Sequence, residues 1–272
     1  MNPELQTKVD RILADMKAMG SIVVAFSGGV DSSVVAALAQ RALGDDARAV
    51  TAVSETLGGR ELDEARAIAA EIGIAHHEIA FSELSDERFV ENTSARCFFC
   101  QTMRFSQLRA MAEQLGVQVV ASGSNQSDLG DHRPGLKAME DQRVYQPLLD
   151  HEVSKQEVRQ IARWLELSVW DKPAKACLSS RIPHGLEVTH ERLRRIERAE
   201  DVLEDLGFVQ YRVRDHGGLA RIEIASDELD RALERSVLER IARGAREAGF
   251  KRVTLDMVGY RSGSLNPVKR SA

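Results

Sequence analysis

Ile22-Val23-Val24-Ala25-Phe26-Ser27-Gly28-Gly29-Val30-Asp31-Ser32-Ser33 is the stretch on which the fold turns. Its first five residues are apolar without alternation, the mark of a strand buried on both faces. Its end runs into a long apolar helix pattern that starts at or near Asp31. Two glycines and three hydroxyl side chains lie in the turn. A turn of this composition aims successive backbone N–H groups at one point above a helix N-terminus. That is a site for a multiply charged anion, in practice a phosphate chain. The spacing matches neither G-x-x-x-x-G-K-[ST], since no Lys follows the glycines, nor G-x-G-x-x-G.

Outward from this turn, strand patterns at 21–26, 47–53, 74–80 and 117–121 alternate with helical patterns at about 31–43, 60–72 and 100–115. Such alternation predicts an α/β fold, a doubly wound parallel sheet with helices on both faces. Residues 1–20 carry an amphipathic helix pattern. Ser154-Lys155-Gln156-Glu157 opens a further helix as a capping box, with Trp164 on its core side. Residues 171–188 are irregular, with Pro173 and Pro183, and place a domain boundary there. The expected division is a nucleotide domain over 1–186 and a smaller α+β module over 187–272. The module reads as a charged helix at about 189–206, strands at 208–214 and 219–224 joined at Asp215-His216-Gly217-Gly218, helical patterns at 226–248 and a strand at 252–257.

A chain of 272 residues with 43% hydrophobic and 29% charged residues has the balance of a soluble globular enzyme. The formal charge of −5 argues against a protein whose main task is gripping nucleic-acid backbone. No signal-peptide pattern and no bilayer-spanning apolar run is present, so the expected location is the cytoplasm, with no membrane partner. Cys97, Cys100 and Cys177 are an odd number of thiols and argue against a disulfide framework.

The S-G-G-x-D-S run from Ser27 to Ser32 resembles the signature of the N-type ATP pyrophosphatases, the PP-loop superfamily. That resemblance implies that the β- and γ-phosphates of ATP are held as a leaving unit while AMP is transferred to a carboxylate or carbonyl oxygen. Ser27, Gly28, Gly29, Asp31, Ser32 and Ser33 are then the first nucleotide-binding residues. Ligands of open parallel sheets sit beyond the carboxyl ends of the strands. Two further segments qualify, Thr51-Ala52-Val53-Ser54 and Ala121-Ser122-Gly123-Ser124-Asn125-Gln126-Ser127-Asp128. They add Val53, Gly123, Asn125 and Asp128. Asp31 and Asp128 are the candidates to hold Mg2+ against the pyrophosphate, with a plain N-cap and a solvated loop residue as the simpler readings.

Cys97-Phe98-Phe99-Cys100 places two sulfurs within reach of one metal or one disulfide. Structural zinc would need a fourth ligand, for which His184 is available. A redox dithiol would leave Cys177 unexplained. A 4Fe-4S cluster on three thiolates would use every cysteine and leave one iron open. Three unrelated buried thiols is the plain alternative.

The stretch Cys177-Leu178-Ser179-Ser180-Arg181-Ile182-Pro183-His184-Gly185 resembles the LarE family of ATP-dependent sulfur transferases in nickel-pincer nucleotide cofactor biosynthesis. Gly130-Asp131-His132-Arg133-Pro134-Gly135-Leu136 and Gly259-Tyr260-Arg261-Ser262-Gly263-Ser264-Leu265-Asn266 match as well, so the resemblance runs from residue 22 to 266. It implies adenylation of a carboxylate of pyridinium-3,5-biscarboxylic acid mononucleotide, followed by attack of sulfur to give a thiocarboxylate. It implies Ser180 and Arg181 as nucleotide-binding residues, and a homo-oligomer, a hexamer arranged as trimers. Members differ in sulfur source. Some sacrifice the sulfur of the cysteine matching Cys177; others pair it with a C-x-x-C around a 4Fe-4S cluster whose open iron takes sulfide from a donor. Cys97 and Cys100 place this chain in the second group.

Arg212 and Arg214 lie two apart on one strand face, with Arg221 and Glu223 expected opposite. Two aligned guanidiniums suit a phosphate or carboxylate, and the resemblance assigns Arg212, Arg214 and Glu223 to the phosphate end of the substrate. A solvated charged face is the alternative. Gln101 departs from the Lys of many relatives, and Ser122 and Ser124 stand where Asp and Thr are more usual. Other enzyme readings are tRNA thiolation and amide synthesis. A non-catalytic ATP-binding module, like an amide synthetase, leaves the cysteines idle.

Overall fold

The computed structural model describes residues 1–127 and 134–261; Asp128 and most of the Gly130–Leu136 and Gly259–Asn266 matches lie outside that range. In chain order the elements are α1 (Pro3–Met19), β1 (Ile22–Ala25), α2 (Val30–Leu43), β2 (Ala47–Val53), α3 (Gly59–Ile72), β3 (Ala75–Ala80), α4 (Glu87–Val90), α5 (Arg96–Gln114) and β4 (Val119–Ala121). They continue as α6 (Pro134–Asp141), α7 (Pro147–Asp150), α8 (Lys155–Trp164), α9 (His190–Asp205), β5 (Tyr211–Asp215), β6 (Leu219–Ile224), α10 (Leu229–Ala232), α11 (Arg235–Glu247) and β7 (Arg252–Leu255). No described helix is long and apolar enough to cross a membrane. Two compact units form, Met1–Glu83 with Ala95–Lys175, and Leu84–Ser94 with Ala176–Ala272.

The first unit is the α/β fold that the sequence predicts. Its four strands run parallel in the order β3-β2-β1-β4, with Ile22 opposite Ala47 on one side and Val119 on the other. Side chains of β1 alternate between two cores because a strand's period is two. Ile22 and Val24 join Leu38 from α2 and Ile161 from α8, while Val23 joins Phe105 and Leu108 from α5. Each such burial contributes about 1.5–3 kcal/mol, so continuous apolarity is what a doubly covered strand requires. The chain walks outward from β1 to β3, then returns to β4 on the far side of β1. The carboxyl ends of β1 and β4 therefore flank the switch point. Both bonds of the capping box at Ser154 and Glu157 form, and Trp164 packs on the core.

The second unit carries a sheet in the order β5-β6-β7, antiparallel between β5 and β6 and parallel between β6 and β7. β5 begins at Tyr211, three residues later than the hydrophobic pattern. The N–H groups of Val209 and Gln210 instead donate to the Glu228 carboxylate at 3.0 and 3.1 Å. The segment from residue 84 to 94 is fastened by Asn92, which is wholly buried at φ 55°. Its side-chain amide donates to the carbonyls of Pro183 and Leu186 at 2.8 and 2.7 Å, and the Val188 N–H donates to Val90 O at 2.9 Å.

Candidate functional site

In the first unit the turn after β1 is shaped by two backbone approaches. Gly28 sits at φ +66°, and a Cβ there would lie 2.7 Å from the Ala65 Cα of α3. Beyond β4, a Cβ on Gly123 would lie 2.7 Å from the Ser32 backbone nitrogen. Only glycine lets these segments come this close. α2 starts from Gly29 as N-cap with no side-chain cap, so its first N–H groups keep their capacity for an anion. The Ser32 hydroxyl is 3.1 Å from that of Ser27 and receives the Ser27 N–H at 3.2 Å. Ser33 is wholly buried, its hydroxyl unpaired among the described residues.

Asp31 is not the cap; it stands in the first turn of α2. One carboxylate oxygen accepts from the Asn125 amide at 3.2 Å, and the other from the Lys155 ammonium. Asn125 is buried and accepts the Ser127 N–H at 3.0 Å, while the Lys155 N–H donates to Ser127 Oγ at 3.0 Å. The loop after β4 is thereby tied both to the glycine turn and to the start of α8. A second cation approaches from residues 170–175. Lys172 Nζ donates to Gly28 O at 3.3 Å and to Glu64 at 2.7 Å, and Arg159 holds this segment through the carbonyls of Trp170 and Lys172. Lys155 and Lys172 were not singled out for this site by the sequence, although a lysine at the start of α8, against the helix dipole, is a local signal. Val53 ends β2 half-buried. The nearby Thr51 hydroxyl is used inside the sheet, donating to Phe26 O at 3.0 Å and lying 2.7 Å from His76 Nε2.

α5 begins four residues before the expected helix, so Cys97 and Cys100 sit one turn apart in its first two turns. Cys97 is exposed and Cys100 buried. The Cys100 thiol donates to Glu83 at 3.4 Å; this carboxylate has no exposure and also accepts from Thr56 Oγ1 at 3.0 Å and Arg104 at 3.4 Å. Glu83 was not foreseen. A Cβ on Gly135 would lie 2.9 Å from Gln101 Cγ, so the start of α6 closes over Gln101.

In the second unit Cys177 caps a short 3-10 turn, Leu178–Arg181, and its sulfur is 3.2 Å from Ser179 Oγ. Arg181 holds this turn. Its guanidinium donates to the carbonyls of Ala176 and Cys177 and to Ser180 Oγ, and forms a two-point ion pair with Glu200 at 2.9 and 2.8 Å. Arg214 donates to Ser180 O at 3.0 Å and to Glu223 through two nitrogens at 3.0 and 2.9 Å. The register pairs Arg212 with Glu223 and Arg214 with Arg221, the pairing of charged positions that alternation predicts. Arg212 is buried with its guanidinium 5.0 Å from the Tyr260 ring centre. Burial, then the neighbouring Arg181 charge, lowers its pKa. Arg181, Arg212, Arg214 and Arg221 gather around the carboxylates of Glu200 and Glu223, an arrangement suited to phosphate or carboxylate. The Arg212 and Arg214 face is buried, not solvated.

His184 Nδ1 lies 3.1 Å from Asn92 O. Among the described residues no three His, Cys, Asp or Glu side chains converge to hold a metal ion. By type the three free thiols suit iron, and the Asp31 carboxylate suits Mg2+.

Residues 5–124 match the asparagine synthase family. The chain is 36% identical to the pyridinium-3,5-bisthiocarboxylic acid mononucleotide synthase of Lactiplantibacillus plantarum, covering 96% of this chain and 95% of that protein. It is 41% identical to an uncharacterized protein of Synechocystis over 97% and 98% of the two chains. Similarity to the tRNA-specific 2-thiouridylase of Rhizobium rhizogenes, 35% identical, covers 43% of this chain and 35% of that one.

Proposed function

The chain belongs to the LarE family of ATP-using sulfur transferases, and from that premise we propose that it converts a carboxylate of pyridinium-3,5-biscarboxylic acid mononucleotide into a thiocarboxylate. The observation that carries the ATP half is the junction of the 27–33 turn with Gly123 and Asn125 at the switch point of the sheet. The uncapped start of α2 and the Lys155 and Lys172 ammonium groups complement the β- and γ-phosphates. Asp31, with Asp128, would hold the Mg2+ that neutralises them. Ser180 and Arg181 complete the nucleotide contacts, and Arg212, Arg214 and Glu223 take the phosphate end of the acceptor.

The acceptor carboxylate attacks the α-phosphorus and pyrophosphate leaves with the electron pair of the broken P–O bond. Adenylation is needed because a carboxylate is a poor electrophile. Sulfide then attacks the acyl carbon, the C–O bond to AMP breaks with AMP taking the electron pair, and loss of the sulfur-bound proton leaves the thiocarboxylate. A cysteine thiolate would give a thioester instead, freed as thiocarboxylate only when the cysteine Cβ–S bond breaks with loss of its Cα proton. Cys97, Cys100 and Cys177 would hold a 4Fe-4S cluster, and its open iron would make sulfide from an external donor available to the acyl carbon. The buried Arg181, anchored on Glu200, holds the Cys177 carbonyl and orients that turn. Free thiols suit the reducing cytoplasm, and the active assembly is a homo-hexamer.

The test is a coupled assay of pyrophosphate release and product mass with the mononucleotide, ATP-Mg2+ and sulfide, beside iron analysis of protein purified without oxygen. Release that depends on the mononucleotide, repeated turnover and bound iron are expected. Absence of mononucleotide-dependent release refutes the reading. A single turnover with a Cys177 peptide lighter by one hydrogen sulfide would replace the cluster by sacrifice of the Cys177 sulfur. Tight, salt-dependent tRNA binding with thiolation would move the acceptor to RNA.

A further inference from the structure

One helix of the second unit is charged against its own dipole. The first nine residues of α9 carry Arg192, Arg194, Arg195 and Arg198 with His190 against only two glutamates; the rest carries Glu200, Asp201, Glu204 and Asp205 and no cation. A helix dipole favours the reverse, so helix stability does not explain these arginines. Three of them line a recess of about 290 Å3 with His190 and Glu191, closed by Ala248 and Gly249.

His190, Arg194 and Arg198 recur every four residues and share one helix face. Among the described residues Arg194 and Arg198 form no ion pair. Arg195 lies deeper and is already oriented: it donates to Asp215 at 2.6 Å, stacks 4.9 Å from the Phe250 ring centre, and keeps a buried Nε with no hydrogen-bond partner. Glu191, 3.7 Å from Arg195, is the one carboxylate of the lining. The far wall is glycine at φ +109°, so no side chain of that residue opposes an entering group.

We infer that this recess is a binding site for a small phosphate-bearing anion, either free pyrophosphate or the phosphate of a mononucleotide. It shares no residue with the proposed ATP or acceptor sites. Fixed Arg195 supplies the inner donors, Arg194 and Arg198 close on the outer oxygens, and the α9 N-terminus adds its positive end. The volume suits one or two phosphate groups at the mouth of a small ligand pocket.

The experiment uses the full chain carrying Lys155→Ala and Lys172→Ala, which remove the cations of the glycine-turn site, with Arg212→Gln, which weakens the acceptor phosphate site, and titrates inorganic pyrophosphate, inorganic phosphate and AMP by calorimetry. One remaining site is expected, weakened about tenfold for each of Arg194→Ala and Arg198→Ala, because a charge-assisted hydrogen bond is worth roughly a decade in Kd. The same site should survive Arg194→Lys with Arg198→Lys and lose affinity as salt rises. Both residues lie on the outer face of α9, so unchanged unfolding curves will accompany the loss. Pyrophosphate binding tighter than AMP assigns the free anion, and the reverse assigns a mononucleotide. No binding at millimolar ligand, binding unaffected by the alanine pair, or RNA bound far more tightly through the same arginines would overturn the inference.

Discussion

Replacing Glu200 by glutamine tests what holds the Cys177 turn. Arg181 is 1% exposed and Glu200 8%, and their two hydrogen bonds are 2.9 and 2.8 Å long. Glutamine keeps an oxygen for the Val213 N–H, which now donates to Glu200 at 2.9 Å, so the main loss is charge. Arg181 would then be a buried cation beside Arg212, without the carboxylate that balances it. Removing one member of a buried pair costs about 3–5 kcal/mol, whereas replacing both by apolar residues is often close to neutral. Glu200→Gln should therefore lower stability by about 3 kcal/mol, and Arg181→Met with Glu200→Gln, which removes the stranded charge and keeps the acceptor for Val213, should recover part of it. Urea-dependent hydrogen exchange at the amides of β5 reads this locally, which avoids assuming that both units unfold together. A Glu200→Gln loss below about 1 kcal/mol, or a double variant no better than the single one, would show that the pair does not carry the turn.

Three further outcomes follow from the geometry. Gly28→Ala forces a left-handed alanine whose Cβ would lie 2.7 Å from Ala65 Cα, so it should cost about 1–3 kcal/mol and raise the KM for ATP in the pyrophosphate-release assay; a normal KM would separate the turn from ATP binding. Burial lowers the pKa of His76 and of His216 below the usual imidazole value, so the unfolded chain takes up these protons first. Their contribution is complete above the unfolded pKa of about 6.5 and is lost as pH falls through the lower folded values. Denaturation midpoints should fall below about pH 6.5, less steeply in His76→Gln; equal slopes would exclude His76. Lys155→Ala removes a half-exposed ion pair, so stability should change by less than about 1 kcal/mol, yet Mg2+ should saturate activity at lower concentration because Asp31 is no longer shared. An unchanged Mg2+ dependence would leave that pair a purely structural one.

The first unit was legible because its signals are local. Unbroken apolarity at 22–26 specifies a strand covered on both faces, and the change of period after Asp31 specifies a helix. The capping box at Ser154 likewise needs only four residues. What escaped is set by distance along the chain. Lys155 reaches Asp31 across 124 residues and Lys172 reaches Gly28 across 144, so neither appears in any window around the glycine turn. Glu83 is one of several acidic residues in the stretch that also holds Asp86 and Glu87, and only the fold turns it into the buried partner of Cys100. The charged face of β5 and β6 was readable from alternation. Its near-complete burial was not, because Arg181 and Glu200 arrive from a loop and a helix outside the sheet.

The Asn92 anchor has a bearing on how the protein is made. Asn92 leaves the ribosome 91 residues before Pro183 and 94 before Leu186, whose carbonyls it binds. During synthesis the segment from residue 84 to 94 must wait while the chain of the parallel sheet is completed. A fragment starting at Ala176 would lack it altogether, so excising the C-terminal module at that natural-looking boundary should give a polypeptide that cannot complete its own interior. Supplying residues 84–94 as a separate peptide should restore it.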